Sequence, residues 1–134
     1  RARAGPRARA RPRRIAGVMP SPLPPPPERL AYEDFAKLDL RVAEILEAAE
    51  HPDAQRLLVL KVRVGEEIRQ VVAGIKATYA PSELAGRRVI LLANLAPAVI
   101  RGVESQGMIL AADLDGKAVL LQPDREVPAG AKVR

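Results

Sequence analysis

Few residues in this chain have types and spacing suited to chemistry. His51 is the only histidine, it precedes Pro52, and cysteine is absent. A Ser/His/Asp relay or a zinc site would have to be assembled around that single imidazole, which reads instead as a structural turn residue. Glu44, Glu47 and Glu50 are spaced as solvent-facing carboxylates. The glycine-rich phosphate loops and the HExxH metal pattern do not occur. An enzyme is therefore disfavoured, and no cofactor or metal is expected. What remains is a set of cations able to neutralise phosphates: Lys37, Arg41, Lys61, Arg63, Arg69, Lys76 and Arg101. Singly, each is a solvated surface charge. Together they fall on expected strands, a helix start and a long loop that can converge on one face of a small barrel. Tyr32, Phe35 and Tyr79 are the only aromatics, too few to stack a series of bases. Any RNA would have to be held by its shape, phosphates and 2′-hydroxyls.

The net charge of +6 is unevenly spread. Seven of the 22 basic residues, and none of the 16 acidic ones, lie in the first fourteen positions, so the rest carries 15 bases against 16 acids. An RNA site on the folded part must be a local patch rather than a globally basic surface. Residues 1–30 hold the arginine run and the PSPLPPPP segment, a composition expected to give a disordered arm and polyproline linker. Met19 is the first methionine and is expected to be the natural start, which N-terminal mass analysis would check. No run of about 18 apolar residues is present, and no secretory pattern. A cytoplasmic protein that does not enter a membrane is expected.

Residues 31–134 are expected to form one domain that positions these cations. Residues 32–37 suit one short helical turn, with Phe35 as an apolar plug. Leu38, Leu40 and Val42 alternate with Asp39 and Arg41 as a half-buried strand, and the pattern shifts over 43–49 as at a β-bulge. Residues 58–64 and 68–73 form a hairpin about Gly65-Glu66. Ile75, Tyr79 and Leu84 suggest a short helix, interrupted by Pro81. A fourth strand is expected over 89–92, a long loop over 94–106, a fifth strand over 107–112 and a last one over 118–121. Three strands, a helix and two strands describe an all-β fold with one short helix, the five-stranded OB-fold barrel with a C-terminal extension. An SH3-like barrel is the nearest competitor, without a helix at that point.

FAKLDLRVAEI at 35–45, HPDAQRLLVLKV at 51–62, RQVVAGI at 69–75 and NLAPAVIRGVESQGMILAA at 94–112 follow one another in a specific order. Over about 32–134 the chain resembles the tRNA-binding domain at the C-terminus of methionyl-tRNA synthetases. That module is also found as a free-standing, structure-specific tRNA-binding protein and in a cytokine-like synthetase cofactor. The resemblance implies tRNA binding without chemistry, as an auxiliary module or partner of methionyl-tRNA synthetase. It implies Asn94, Arg101, Ser105 and Met108 as site residues, beside Lys37, Arg41, Lys61, Arg69 and Lys76. Ala98 and Val99 stand where the family commonly carries one or two basic residues, which implies either weaker affinity or more load on Arg101. Gln55 replaces a common acid. The resemblance also implies a homodimer through residues 113–134, using Leu114, Val119, Leu120, Leu121 and Val127, unless these pack on their own barrel. The alternatives are a protein-export chaperone on a related barrel and a purely structural dimerisation tail.

Overall fold

The computed structural model describes Gly17, residues 22–25 and residues 28–134. The expected arginine arm and the start at Met19 lie outside the described residues.

The helical turn α1 (Tyr32–Phe35) is four residues long and buries none of them. Phe35 is half-buried beside Tyr32 and does not plug the barrel, because so short a turn stays outside it. The barrel begins with β1 (Leu40–Glu50), whose register against β2 (Leu58–Val64) slips between Ile45 and Glu47. This is the expected bulge. It moves the inward row from Arg41, Ala43 and Ile45 to Ala48 and lets one long strand bend around the core. β3 (Glu67–Ala73) pairs with β2 through a two-residue turn in which Gly65 takes φ 62. β4 (Arg88–Leu92) pairs with the first half of β1.

The helix expected near 75–84 is reduced to a turn accepting N–H bonds at Ile75 O and a three-residue 3-10 helix, Pro81–Glu83. Pro81 has no N–H to continue a helix, and it disfavours helical backbone in the residue before it. Ile75 and Leu84 nevertheless plug the barrel, both buried. With Ile45, Leu58, Leu60, Val62, Val71, Val89 and Leu91 they form the core, each burial contributing about 2 kcal/mol.

The expected loop over 94–106 contains a hairpin, β5 (Ala98–Ile100) and β6 (Val103–Ser105), about an Arg101-Gly102 turn. The expected fifth strand is divided into β7 (Met108–Ile109), which pairs with β4, and β8 (Ala111–Leu114), which pairs with β9 (Lys117–Leu120). The sheet order β3-β2-β1-β4-β7 is a curled, five-stranded antiparallel half-barrel of the OB-fold type, with an extension.

Its remaining side is closed by the Gln106 N–H, which donates to Gln70 O at 2.7 Å, and by side chains. The Ser105 hydroxyl accepts the Val72 N–H at 2.9 Å, and Gln106 Oε1 accepts the Gln70 N–H at 3.0 Å. The extension packs on its own barrel. Leu120 enters the core and its N–H reaches the Tyr79 hydroxyl, while β10 (Lys132–Val133) pairs with the start of β1.

Candidate nucleic-acid interface

The inward rows of β1 to β3 change character at one end of the barrel. Ala43 and Val71 lie in the core, but two residues earlier on each strand the same rows carry Arg41 and Arg69. Their guanidiniums stand at the barrel mouth, each held by a carboxylate two residues before it. Arg41 Nε donates to Asp39 at 2.7 Å and its Nη1 to Gly130 O at 3.2 Å. Arg69 Nε donates to Glu67 at 3.0 Å and its Nη1 to Ala93 O at 2.5 Å. A depression of about 210 Å³ lies between them, lined also by Val64, Gly65 and Gly130. Lys132 joins it through Asp39 at 3.3 Å. The Arg41 hydrogen bond, opposed by burial and aided by Lys132, holds the Asp39 carboxyl below its ordinary value.

Asn94 belongs to this end and works as a bracket. Its Oδ1 accepts the Asp39 N–H at 2.8 Å and its Nδ2 donates to Lys37 O at 2.7 Å. Lys37 therefore sits at the same mouth, with an exposed ion pair to Asp34. Lys61 lies on the outward face of β2, where its Nζ donates to Gln70 Oε1 at 3.0 Å. Gln70 in turn donates to Glu104 O, linking Lys61 to β6.

Lys76 and Arg101 lie elsewhere. Lys76 pairs with Glu50 at 3.0 Å, at the far end of β1. Arg101 Nη2 donates to Asp53 O at 3.0 Å, just beyond that end. Nine residue steps of β1 separate Arg41 from Glu50, about 30 Å if measured along an extended strand. The expected donors thus form a mouth group of Lys37, Arg41, Arg69 and Asn94, a corner group of Lys76 and Arg101, and Lys61 on a wall between, rather than one patch.

Ser105 is buried and its hydroxyl is occupied, accepting from Val72 and donating to Gly107 O at 3.0 Å. Gly107 takes φ 134, where an added Cβ would stand 3.0 Å from Leu92 O. The SQGM element therefore closes the barrel edge against β3, leaving Met108 45% exposed as its outward side chain. Beside it, Ile68, Leu95 and Pro97 line a second cavity of about 370 Å³ with Glu67, Arg69 and Gln106.

Sequence reasoning missed Lys132, Asp39 and Glu67. The acid-x-Arg spacing of Asp39/Arg41 and Glu67/Arg69 was the available signal for the two acids. Nothing local marks Lys132, which its pairing with Arg41, 91 positions earlier, brings in.

The family described as "Putative tRNA binding domain" matches residues 40–132. The chain is 54% identical over 107 residues to a methionine–tRNA ligase of Thermococcus kodakarensis and 55% identical over 107 residues to that of Pyrococcus horikoshii. Each alignment covers 80% of this chain but only 14% and 15% of the ligase, so the chain spans about one seventh of these relatives. Among solved structures it resembles a MetRS-related protein from Pyrococcus horikoshii (TM-score 0.75, 36% identity, 80% of this chain and 99% of that one). It also resembles the chaperone CsaA of Bacillus anthracis (TM-score 0.73, 32% identity, 79% and 99%).

Proposed function

We propose, from the premise that this chain belongs to the tRNA-binding domain family, that residues 31–134 grip folded tRNA by shape and backbone charge, largely independently of sequence. The observation that carries this reading is the barrel mouth, where Arg41 and Arg69 are held in place with part of each guanidinium fork still open. Holding a long side chain in advance removes much of the ordering cost that a phosphate contact otherwise carries. Base stacking is poorly supplied. Tyr79 is occupied by Leu120 through its hydroxyl and by Arg87 over its ring. Asn94 and Ser105 support the site by fixing the chain around it, whereas Lys37, Lys61, Lys76, Arg101 and Met108 present surface to the RNA.

The module acts beside methionyl-tRNA synthetase in the cytoplasm, as its auxiliary domain or as a separate homodimeric partner, and raises the effective concentration of tRNA. The exposed Leu114 and Leu121 are what the extension leaves for a second copy. The exposed Ile68 and Leu95, beside a cavity that Glu67, Arg69 and Gln106 also line, favour one competing reading, a chaperone that takes unfolded polypeptide.

A salt-dependent titration of the chain, with and without residues 1–29, against folded tRNA, an unstructured RNA of equal length and an unfolded polypeptide separates them. Salt-sensitive binding to folded tRNA alone, kept without the arm, is the expected outcome. RNA binding lost with the arm, together with retained polypeptide binding, would replace this reading by the chaperone.

A further inference from the structure

At the far end of β1 the chain turns through His51-Pro52-Asp53, and the imidazole of His51 is buried at 5% exposure. Its Nδ1 lies 2.9 Å from the Asp53 N–H. A backbone N–H can only donate, so Nδ1 is the unprotonated nitrogen and the ring proton of the neutral tautomer sits on Nε2. Nε2 is 3.0 Å from Ile100 O and donates to it.

The next residue of the hairpin is Arg101, which holds φ 52, a left-handed conformation costly for a residue with a Cβ. Its guanidinium donates to the carbonyl of the same Asp53 whose N–H faces the imidazole. Both polar groups of one residue are thereby used. Asp53 N–H meets His51, His51 meets Ile100, and Arg101 returns to Asp53 O in a closed ring of contacts. The ring ties the β5–β6 hairpin to the 51–57 loop and sets the direction of the Arg101 side chain. It contains no carboxylate.

We infer that His51 is a positioning residue for RNA binding: its neutral, Nε2-protonated imidazole latches the β5–β6 hairpin so that Arg101 is held in its strained turn and aimed outward. This rests on the reading that Arg101 contacts RNA. The latch explains how a hairpin of two three-residue strands, lacking the basic residues at Ala98 and Val99, keeps its one arginine ordered. A histidine that merely filled the corner would need neither the tautomer nor the coupling to Arg101.

The test uses the full chain and tRNA, with Arg101→Ala, His51→Ala, His51→Gln and the His51→Ala/Arg101→Ala double variant. Arg101→Ala is expected to weaken binding about tenfold, in line with one charged contact. His51→Ala should weaken it nearly as much, and the double variant no further than Arg101→Ala alone. Gln supplies a side-chain N–H for Ile100 O and should restore part of the loss.

Because His51 is the only histidine in the sequence, ¹⁵N spectra of its ring give the tautomer in the unmodified protein. They should show protonated Nε2 and bare Nδ1. A proton found on Nδ1 of the unmodified protein overturns the latch whether or not the variants remain folded, and so do losses that multiply in a folded double variant. If Arg101→Ala leaves affinity unchanged, the assignment of Arg101 to the RNA site fails, and the role given to His51 falls with it.

Discussion

The barrel mouth and the corner beyond β1 both present arginine, and they hold it by different means. At the mouth, Arg41 and Arg69 are aimed by Asp39 and Glu67, so each fixed cation brings an anion with it. At the corner, Arg101 is aimed by a carbonyl, and among the described residues it makes no ion pair. A carboxylate tether is short and directional but cancels much of the field that attracts a phosphate. A carbonyl tether adds no charge of its own, although Asp53, the residue that supplies it, carries a carboxylate outside ion-pair distance of Arg101. The number of cations in a region therefore does not by itself set that region's field toward a phosphate.

The largest expected effect would break the mouth. Gly130 takes φ 98, and an added Cβ would stand 2.7 Å from Gly65 N. Gly130→Ala should therefore lift the C-terminal segment from β1, removing the bonds between Val42 and residues 130 and 131. A loss of about 2–4 kcal/mol in denaturant unfolding is expected, with Arg101 undisturbed. Stability equal to the parent would mean that the tail does not secure the mouth.

Ser105→Ala acts between the two regions by leaving the buried Val72 N–H without its acceptor. It should cost about 1–3 kcal/mol of stability. Its effect on tRNA affinity, compared at a temperature where both proteins are folded, should be smaller than that of Arg69→Ala. The reverse order would make the hydroxyl a direct RNA contact.

Arg69→Ala removes a cation from the mouth and leaves Glu67 unpaired. Affinity should fall about tenfold, corresponding to about 1.4 kcal/mol, and the salt dependence should become shallower by about 0.7–0.9 in log–log slope. Glu67→Gln should instead strengthen binding at low salt. An unchanged affinity in both variants would place the RNA away from the mouth.

The smallest effect is one of pH. The Asp39 carboxyl is held below its ordinary value chiefly by the Arg41 hydrogen bond. A lowered carboxylate contributes stability that is fully present above the unfolded value, near 3.9, and fades as pH falls through the folded one. Asp39 is partly exposed, so the contribution is below about 1 kcal/mol. Stability curves of the parent and Asp39→Asn should begin to approach each other as pH falls below about 4 and meet only below the lowered folded value. A gap that persists in acid would assign the difference to lost hydrogen bonding rather than charge.

Much of the barrel was legible. Leu58, Leu60 and Val62 alternate cleanly, Gly65 marks a turn that needs positive φ, and the shifted pattern after Ala43 gave away the bulge. The loop over 94–106 was not legible as a hairpin, because its strands are three residues each and Arg101 occupies a turn position usually marked by Asn, Asp or Gly. Residues 107–112 read as one strand, although Ile109 ends one pairing and Ala111 begins another. Local alternation is the same in both cases, and only the partner differs.

The site divides along the same line. Residue type and near neighbours suffice for the alternation that builds the half-barrel, the supply of cations and the motifs that mark the family. Tertiary structure alone decided that Arg41 and Arg69 share a mouth while Arg101 and Lys76 stand at the other end. It also made Ser105 a buried support and brought Lys132 beside Asp39. Strand curvature and pairings between residues up to 93 positions apart set those distances, and no local pattern encodes them.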